Sequence, residues 1–451
     1  MNFKSINPYD SSIIAEYEVL TDNQVQNALS KAEKAYKDWR KTTYAHRADL
    51  LRKVAAILDK NKEKYARLIT AEMGKILPEA RKEIEKSIIN CEYYADNAEG
   101  FLKDQIIEVG SARSLVAFDP IGAVFAVMPW NFPFWQVLRY AAPTLMAGNV
   151  TILKHAPNVC GCAKAIEEIF IEAGYPEGVF QSIIIDIPQV EGVIAANIVQ
   201  GVTLTGSEYA GSSVAALAGK HIKKSVLELG GSDAFIVLED ADIDKAVRIG
   251  SQSRMINAGQ ACNCSKRFIV VDSVYEEFTE KFRAIISKIK YGNPLAEDTN
   301  IGPLARTDLA EKLASQVAKS IEKGAKNALG GGRENNFFEP TLLTDIQPNS
   351  PAFDEEMFGP VATVFRVSSE VEAVELANNH RYGLAGSIWT QDQERGYRLA
   401  RQLDTGNVFV NALVKSDSRL PFGGVKKSGY GRELSEIGLK EFVNYKTIWI
   451  E

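Results

Sequence analysis

The feature that most constrains the fold of this chain is a series of short apolar runs rich in β-branched residues, each followed by a stretch of helical spacing. The runs span residues 123–128, 150–154, 182–187, 202–205, 234–238 and 268–271. Strands of a parallel sheet are buried on both faces and therefore form continuous apolar runs, and the helices that connect them cover those faces. The sequence thus predicts an α/β fold with more than one sheet.

A helical region precedes these runs, from Asp22 to about residue 102. Its apolar residues recur at helical spacing and share one face, as at Val25, Leu29, Ala32 and Trp39. Asp22 is the predicted N-cap of the first helix. We expect these helices to be scaffold that carries no chemistry.

The charge balance excludes several classes of protein. The 451 residues include 52 Lys and Arg against 58 Asp and Glu, a net charge of −6, and the basic residues form no stripe, so no nucleic-acid partner is expected. The polar N-terminus opens no apolar segment, and no apolar stretch approaches the roughly 18 residues of a membrane span, so neither a signal peptide nor a membrane anchor is expected. Five cysteines, an odd and small number, favour reduced thiols, and a cytoplasmic location is predicted.

Four of the cysteines form two Cys-x-Cys pairs, Cys160/Cys162 and Cys262/Cys264. Zinc sites usually use Cys-x2-Cys pairs with further Cys or His ligands, and the four histidines of this chain cluster near neither pair. No metal site is therefore predicted. We expect Cys160 and Cys162 to pack in the core on a helix.

No glycine-rich dinucleotide fingerprint of the G-x-G-x-x-G type follows any predicted strand. The nearest sequence is 205–211, where a strand end leads into Gly206, Ser207 and a helix, but Ser212 stands where a phosphate-binding loop has lysine. From these residues alone, an ordinary turn between strand and helix is the favoured interpretation.

Three segments carry the residue types that covalent catalysis needs. Residues 257–262 (NAGQAC) place Cys262 after a small-residue turn, which exposes a thiol for nucleophilic attack. Residues 226–231 (VLELGG) set Glu228 between leucines, which raises a carboxyl pKa toward that of a general base. Residues 128–135 (MPWNFPFW) present the Asn131 amide, an oxyanion donor, among aromatic residues.

Each of these residues also has a structural interpretation. Cys262 would then be a buried packing residue, since free cysteines are usually buried. Glu228 would be a strand-end carboxylate that faces solvent, and Asn131 would cap a tight turn.

The order of further motifs favours the catalytic interpretation, because the chain resembles the aldehyde dehydrogenase superfamily along essentially its whole length. The shared segments are INP at 6–8, PWNFP at 129–133, AAPTLMAGN at 141–149, LTGS at 204–207, LELGG at 227–231, NAGQAC at 257–262, EEMFGP at 355–360 and PFGG at 421–424. A single segment of this kind arises by chance, but the ordered series does not.

The resemblance implies that Cys262 is the nucleophile, Glu228 the general base, and Asn131 an oxyanion donor that works with the backbone N–H of Cys262. Attack by the thiolate on an aldehyde gives a thiohemiacetal, which passes hydride to a nicotinamide. The resulting thioester is hydrolysed by water that Glu228 activates.

The resemblance also implies a nicotinamide cofactor bound without the usual fingerprint. Glu356 and Phe358 match positions that hold the nicotinamide ribose and ring, and Gly206 and Ser207 match positions that line the nicotinamide and pyrophosphate. Trp130, in the PWNFP turn, is assigned to the same site.

Cofactor preference follows from a departure from the family pattern. Members that prefer NAD often read Lys-Pro-x-Glu after the third strand of the cofactor domain, with the Glu on the adenine ribose hydroxyls, whereas this chain reads Lys154-His155-Ala156-Pro157. Pro157 removes a carboxylate that would repel a 2′-phosphate, and Lys154 supplies a cation. NADP is the predicted cofactor, with NAD or dual use as the alternative.

The predicted substrate-binding residues are Trp135, Arg139 and Ser416. Arg139 follows the PWNFP turn on the next helix, where a guanidinium would bind a substrate carboxylate bidentately. The extended segments PWNFPFWQVLR and VKSDSRLPFGG resemble the short bacterial succinate semialdehyde dehydrogenases. The predicted substrate is therefore succinate semialdehyde.

Several alternatives stand beside this prediction. Arg139 would otherwise form a surface or interdomain salt bridge, and the substrate would otherwise be another ω-carboxy aldehyde such as glutarate semialdehyde. A phosphorylating or CoA-acylating member is a further alternative. It is disfavoured because such members typically lack the general-base Glu, which is present here as Glu228. A non-catalytic structural protein on the same fold is disfavoured because Cys262, Glu228 and Asn131 are all retained.

Cys264 lies two positions after the nucleophile. One interpretation is a redox partner that closes a strained disulfide with Cys262, as in some relatives, and so switches the enzyme off. The other is a small buried residue, and the sequence favours neither.

Three parts of the chain are implied by the resemblance. They are a Rossmann-like cofactor domain (1–101 and 121–229), an α/β catalytic domain (230–435) and a small β oligomerisation element (102–120 and 436–451). The last includes extended segments 104–109 and 114–118 around Gly110 and Ser111 and the C-terminal strand from Val443. Its exposed strand edges predict a homodimer or homotetramer.

Overall fold

The computed structural model describes residues 2–110 and 112–451, so Met1 and Ser111, the latter in the predicted hairpin turn, lie outside the described residues. Within the described residues the α-helices are α1 (Asp22–Trp39), α2 (Tyr44–Lys60), α3 (Lys62–Met73), α4 (Leu77–Phe101), α5 (Trp135–Met146), α6 (Cys160–Glu172), α7 (Val190–Ala195), α8 (Glu208–Lys220), α9 (Ile243–Met255), α10 (Asp272–Ile286), α11 (Thr307–Glu322), α12 (Pro351–Asp354), α13 (Glu370–Asn378), α14 (Gln393–Ala400) and α15 (Ser435–Leu439).

The strands of the same residues are β1 (Asn2–Ile6), β2 (Ile13–Glu18), β3 (Gln105–Val109), β4 (Ala112–Pro120), β5 (Ala123–Met128), β6 (Val150–His155), β7 (Phe180–Ser182), β8 (Val199–Thr205), β9 (Lys224–Glu228), β10 (Asp233–Val237), β11 (Ser265–Val271), β12 (Lys326–Leu329), β13 (Arg333–Glu334), β14 (Phe337–Phe338), β15 (Thr341–Thr344), β16 (Val361–Val367), β17 (Tyr382–Gly383), β18 (Ala385–Trp389), β19 (Asn407–Val410), β20 (Val425–Lys426), β21 (Gly429–Tyr430) and β22 (Val443–Ile450).

The first large sheet has the strand order β21-β9-β8-β5-β6-β7. Its strands run parallel except β21, which pairs antiparallel with β9. Helices α1, α5, α6 and α8 pack against these strands. In the register of β8 and β9, Thr205 pairs with Glu228, so both residues lie at the carboxyl end of the sheet, where ligands of α/β folds bind.

The second large sheet has the order β12-β15-β16-β11-β10-β18-β19, and all its strands except β12 run parallel. One face is packed by a cluster of aromatic rings, with Phe235 stacked on Trp389 at 5.1 Å and Phe268 against Phe282 at 4.7 Å between centroids. Burial of these large rings stabilises β10 and β11, and so fixes the points from which the next loops start.

A third sheet, β22-β4-β3, is antiparallel and joins the C-terminal strand to the hairpin. It leaves apolar side chains exposed on β3 and β22, namely Ile106, Ile107, Trp449 and Ile450. Gly429 and Tyr430 lie in the first large sheet, although the predicted boundaries place them in the catalytic domain. The division into three parts otherwise stays a prediction.

The α/β prediction with more than one parallel sheet is confirmed. The predicted strand at 182–187 is wrong, since β7 ends at Ser182 and residues 187–189 form a 3-10 turn. Asp22 is not the N-cap of α1, because Thr21 accepts a hydrogen bond from the Gln24 N–H while the Gln24 side chain accepts from the Thr21 N–H. Cys160 and Cys162 are buried in α6, as predicted.

No helix within residues 2–110 and 112–451 combines the length and apolar character that crossing a bilayer requires.

Candidate active site

The loop that presents Cys262 is held in an unusual backbone conformation after α9. Asn257, Ala258 and Gly259 have φ values of 53°, 53° and 75°, in the left-handed region that costs non-glycine residues free energy. A Cβ on Gly259 would lie 2.2 Å from the carbonyl oxygen of Gly359, so only glycine fits. The Arg254 guanidinium donates to the carbonyl oxygens of Gly259 at 2.6 Å and Gly359 at 2.7 Å, which fixes the loop against the neighbouring chain.

Lys266 holds the backbone on the other side of the nucleophile. Its buried Nζ donates to the carbonyl oxygens of Cys262 at 2.8 Å and Ala261 at 3.0 Å. It also forms an ion pair with Glu356 Oε1 at 3.3 Å. The loop that carries Cys262 is therefore tied to the residue predicted to bind the nicotinamide ribose.

Asn131 lies against this loop. Its Nδ2 donates to the carbonyl oxygen of Gln260 at 3.0 Å, and Asn257 Nδ2 donates back to the Asn131 carbonyl at 2.9 Å. A side-chain amide nitrogen has two N–H groups, so one remains to donate to an oxyanion. Asn131 is buried and its Oδ1 accepts no hydrogen bond from the described residues.

A buried ion pair, Lys75–Glu83, supports the turn that carries Asn131. Lys75 Nζ donates to the Asn131 carbonyl oxygen at 2.9 Å. Glu83 Oε1 accepts from the N–H groups of Phe134 at 2.8 Å and Trp135 at 3.1 Å, at the start of α5. A carboxylate at a helix N-terminus accepts hydrogen bonds from the free amides and interacts favourably with the positive end of the helix dipole. The pair therefore anchors both the turn and α5.

Glu228 ends β9 with its side chain almost fully buried. Neither carboxylate oxygen accepts a hydrogen bond from the described residues, and the Arg139 guanidinium lies 4.0 Å from Oε2. Burial raises the pKa of Glu228 to about 8, with Arg139 opposing the shift. A buried carboxyl with free lone pairs and a pKa near neutrality is suited to accept a proton from water.

The Cys262 thiol is held protonated by the same surroundings. Burial, and then the nearby Glu228 carboxylate, raise its pKa to about 12. It packs beside an apolar cluster of Trp135, Leu384, Phe422 and Leu434. A thiolate at this site therefore needs a compensating positive charge or a base to receive the proton.

One side of Cys262 opens into a groove of about 450 Å³. Five of the seven predicted cofactor residues line it with all three predicted catalytic residues: Trp130, Gly206, Ser207, Glu356, Phe358, Cys262, Glu228 and Asn131. The Trp130 and Phe358 rings meet edge to face at 5.9 Å. We call this space the cofactor groove.

The groove fits a nicotinamide dinucleotide. It runs past the N-terminus of α8, where Ser207 Oγ accepts from the Ala210 N–H and the helix dipole favours phosphate. Gly230 leaves the room that Glu356 occupies, because a Cβ there would lie 2.4 Å from Glu356 Oε2. Glu356 also accepts from the Gly231 N–H at 3.0 Å, so its carboxylate is fixed at the groove wall.

Lys154 and Pro157 do not line the cofactor groove. Lys154 is buried near the end of β6, where burial lowers the pKa of its ammonium. Pro157 is exposed at the start of a 3-10 turn that leads into α6. Their contact with the far end of a cofactor stays a prediction.

The other side of Cys262 opens into a second, smaller space of about 180 Å³, which we call the substrate cavity. Trp135, Arg139 and Ser416, the three residues predicted to bind substrate, all line it. The volume corresponds to roughly six water molecules, which suits a short aldehyde. Cys262 lines both spaces, so the predicted nucleophile lies at their junction.

Arg139 is fully buried and engaged by protein carboxylates. It forms an ion pair with Glu433, lies near Glu228, and its Nη2 is 3.4 Å from Thr205 Oγ1. The guanidinium also lies 5.4 Å from the centroid of the Phe422 ring. Arg139 therefore forms a salt bridge that is buried, not one at the surface, and it also lines the substrate cavity.

Helix α4 contributes further cavity residues that the sequence analysis missed. Glu79, Lys82, Glu83 and Lys86 line the substrate cavity, although the sequence predicted this helix to be scaffold only. Glu79, Glu83 and Lys86 are spaced at i, i+4 and i+7, the spacing of one helix face. Charged residues recurring on one face of the helix, with Glu83 among its buried residues, were the signal that could have found them.

Cys264 is buried, and its Sγ donates to the carbonyl oxygen of Ala261 at 2.8 Å. Cys262 and Cys264 are both free thiols. The regulatory disulfide stays a prediction. In the part of the chain that the structure describes, no group of three or more His, Cys, Asp or Glu side chains is arranged to hold a metal ion.

The sequence is similar to those of known proteins. The model of the aldehyde dehydrogenase family matches residues 1–448. A protein of Synechocystis sp. named probable succinate-semialdehyde dehydrogenase (NADP+) is 46% identical over 453 residues, with 100% of both chains covered. The succinate semialdehyde dehydrogenase Sad (NAD(P)+) of Escherichia coli is 42% identical over 448 residues, which cover 99% of this chain and 97% of the relative.

Solved structures agree over the whole molecule. The crystal structure of succinic semialdehyde dehydrogenase from Streptococcus pyogenes in complex with NADP+ superposes with a TM-score of 0.98 at 39% identity and covers 99% of each chain.

Proposed function

The chain belongs to the aldehyde dehydrogenase family, and we propose that it oxidises succinate semialdehyde to succinate with NADP as the hydride acceptor. The observation that carries this proposal is the position of Cys262, which lines both the cofactor groove and the substrate cavity. An aldehyde carbon bonded to Cys262 would lie between the cofactor groove and the substrate cavity. The named relatives support the choice of aldehyde and of cofactor.

The first step in this proposal is attack by the Cys262 thiolate on the aldehyde carbon. Because burial raises the pKa of the thiol to about 12, the proton must leave to a base or the thiolate must gain a cationic neighbour. The free N–H of Asn131 and the backbone N–H of Cys262 then stabilise the oxyanion, and one such donor is worth roughly 3 kcal/mol. When bound, the oxidised nicotinamide supplies positive charge and accepts a hydride.

The second step releases the acid from Cys262. Glu228 lies buried at the same junction with both carboxylate oxygens free of hydrogen bonds in the described residues. Its raised pKa suits it to take a proton from water as that water attacks the thioester carbon. The thiol leaves and the product carboxylate forms.

The substrate cavity supports a substrate that carries a carboxylate. Its wall includes the cations Lys86 and Arg139, and its volume admits a chain of only a few carbons. An uncharged aldehyde would leave Lys86 without an anionic partner, whereas Arg139 already has Glu433. Trp135 and Phe422 form the apolar part of the wall.

We assign the exposed apolar edge of the third sheet to a homodimer or homotetramer contact. Ile106, Ile107, Trp449 and Ile450 are exposed there. Strand edges and apolar patches of this kind are usually covered by a partner.

The test is a kinetic matrix of NADP and NAD against succinate semialdehyde, glutarate semialdehyde and butanal. We expect the largest kcat/KM for succinate semialdehyde with NADP. The rate is monitored through the absorbance of reduced nicotinamide. A kcat/KM with NAD tenfold or more above that with NADP would contradict the cofactor proposal. Equal kcat/KM for butanal and succinate semialdehyde would contradict the substrate proposal.

A further inference from the structure

The peptide unit between Ala261 and Cys262 is held from its carbonyl side. Lys266 Nζ donates to the Ala261 carbonyl oxygen at 3.0 Å, and Cys264 Sγ donates to the same oxygen at 2.8 Å. The peptide bonds of the described residues are all trans, so the N–H of Cys262 points the opposite way, away from Lys266. This N–H donates to no group among the described residues. Hydrogen bonds to the carbonyl therefore fix the direction of a free N–H at the predicted nucleophile.

The same ammonium also holds the peptide unit on the other side of the nucleophile. Lys266 Nζ donates to the Cys262 carbonyl oxygen at 2.8 Å, and the Cys264 carbonyl oxygen lies at 3.4 Å. One side chain thus holds both peptide planes that flank the Cys262 Cα. Lys266 lies on β11 and its side chain is only 1% exposed. Close packing around an enclosed side chain restricts its motion, so the ammonium is a fixed point for the loop.

Lys266 carries a positive charge at neutral pH. Burial acts to lower its pKa, whereas Cys264 and Glu356 act to raise it, and the pKa lies above its usual value. Arg254 opposes the rise and Asp233 adds to it. A charged donor polarises a carbonyl more strongly than a neutral one, and hydrogen bonds in a chain strengthen one another. The ammonium therefore makes the N–H of the predicted nucleophile a stronger donor as well as a fixed one.

We propose that Lys266 is a positioning residue for the oxyanion site, which comprises the Cys262 N–H and Asn131 Nδ2, and that it orients and polarises the Cys262 N–H. This role rests on the proposed function, because the oxyanion forms only when an aldehyde carbon bonds to the Cys262 sulfur. Lys266 lines neither the cofactor groove nor the substrate cavity, so it acts through the backbone. It also pairs with Glu356 at 3.3 Å, so one charge holds the oxyanion donor and the groove wall together.

The test compares two reactions of the same thiol, of which only one develops an oxyanion. Single-turnover reduction of NADP at saturating succinate semialdehyde passes through the oxyanion. Alkylation of Cys262 by iodoacetamide displaces iodide directly and forms none. In Lys266→Met we expect the reduction rate to fall about thirtyfold, less than the roughly hundredfold loss on deletion of a whole donor. The same fall is expected with butanal, because the oxyanion is common to both aldehydes.

Alkylation of Cys262 should respond much less to the same change. Its rate in Lys266→Met should stay within about fivefold of wild type, which allows for the effect of the lost charge on the pKa of the thiol. Mass spectrometry of the fragmented peptide distinguishes alkylated Cys262 from Cys264. Reduction that falls while alkylation persists is the signature of a lost oxyanion donor, since displacement of the whole loop would slow both reactions.

Two further variants test the charge of Lys266. Lys266→Gln fills the site with a neutral amide and should lose at least about tenfold in the reduction rate, which keeps the test available if Lys266→Met does not fold. Lys266→Arg keeps a charged donor and should reduce NADP faster than Lys266→Gln. The reverse order would contradict the assignment, because shape rather than charge would then decide the rate.

Thr363→Val is the matched control. Thr363 Oγ1 donates to the backbone carbonyl oxygen of Lys266 at 3.0 Å, and Thr363 is buried on the neighbouring strand β16. The change therefore weakens the support of β11 but leaves the ammonium in place. Its reduction rate should stay within about threefold of wild type. A fall equal to that of Lys266→Met would assign the effect to strand packing and overturn the proposed role.

The outcomes separate this proposal from the proposed function. Reduction rates within threefold of wild type in both Lys266→Met and Lys266→Gln would overturn the assignment of Lys266, and so would alkylation that slows by the same factor as reduction. Both results leave the proposed function intact. A wild-type enzyme that reduces NADP with neither succinate semialdehyde nor butanal would overturn the proposed function, and the role of Lys266 with it.

Discussion

The two spaces that meet at Cys262 are built in different ways. The cofactor groove is lined in part by turns at the carboxyl ends of strands, among them Gly206, Ser207 and Gly230, and in part by side chains of α11. The substrate cavity is lined by side chains of α4 and α5 and by the 413–416 loop. A turn in which the backbone lies close to another group admits few side chains, as the 2.4 Å distance from a Gly230 Cβ to Glu356 Oε2 shows, whereas helix side chains that only line a cavity can change without altering the fold. We therefore predict that substitutions in the groove affect the chemistry with every aldehyde and that substitutions in the cavity affect the choice of aldehyde.

The two spaces also differ in how their charges are balanced. At the groove wall, Glu356 is neutralised by the buried Lys266 at 3.3 Å. In the cavity, Lys86 has no such partner among the described residues, while Arg139 is paired with Glu433. Changes at the junction should affect every substrate and cofactor, and changes in either space should affect only its own ligand.

The largest effect is expected at the junction itself. Cys262→Ser replaces the nucleophile with a hydroxyl of much higher pKa, so kcat should fall by at least about a thousandfold with both succinate semialdehyde and butanal. Single-turnover kinetics and the binding of NADP check this. Unchanged NADP binding would show an intact groove, and residual activity above about a tenth of wild type would contradict the assignment of the nucleophile.

The next largest effect is expected from the base. Glu228→Gln keeps the shape of the side chain but cannot accept a proton, so hydrolysis of the thioester should slow by about a hundredfold or more. Because hydride transfer precedes hydrolysis, a burst of reduced cofactor should remain, as stopped-flow absorbance would show. Loss of the burst together with the steady-state rate would place Glu228 in the first step instead.

Variants of the Arg139–Glu433 ion pair distinguish its effect on stability from its effect on substrate choice. Arg139→Met leaves Glu433 buried without a partner, so the free energy of unfolding should fall by about 3 kcal/mol, measured by urea denaturation. Arg139→Met/Glu433→Gln removes the unpaired charge and should recover part of that loss. The KM for succinate semialdehyde should rise several-fold more than that for butanal. An equal rise in KM for both aldehydes would show that Arg139 does not bind the substrate carboxylate.

Cofactor choice is the corresponding test on the groove side. Pro157→Glu places a carboxylate on the exposed turn before α6, so kcat/KM for NADP should fall about tenfold through repulsion of a 2′-phosphate, while NAD is little affected. Pro157→Gln is the uncharged control. An equal loss with both cofactors would show that residue 157 does not face the 2′-position.

The smallest effect is a pH dependence confined to the cavity. The pKa of Lys86, about 7, means that its ammonium is charged below that pH and neutral above it, so the preference for succinate semialdehyde over butanal should fall several-fold as pH rises from about 6 to about 9. The charged groups near it are Arg139, Glu83 and Asp417, and the nearby titratable thiol is that of Cys262. Titration of Cys262 and Glu228 affects both aldehydes alike and cancels in the ratio. A slope that persists in Lys86→Met would assign the effect to another group.

Much of the fold and of the groove was predictable because both depend on local sequence. The apolar run at 123–128 is strand β5, and the PWNFP, LELGG and NAGQAC segments converge on one junction as expected. The segment 182–187 was misjudged because apolar content alone does not show that Pro188 ends the extended backbone in a turn.

The cavity was harder to predict because its residues are brought together only by tertiary packing. Lys86 meets Ser416 across 330 positions of sequence, and no local pattern in α4 shows which distant loop covers it. The pairing of Arg139 with Glu433 is equally non-local. The sequence identified Arg139 as a cavity residue but not the carboxylate that already binds it.

The most direct test of the account is mass spectrometry of the Glu228→Gln enzyme quenched during turnover of succinate semialdehyde with NADP. We expect one succinyl group on the peptide that contains Cys262, formed only when the oxidised cofactor is present and absent after Cys262→Ser. A turning-over enzyme whose Cys262 stays unmodified, or one that carries the acyl group on Cys264, would contradict it.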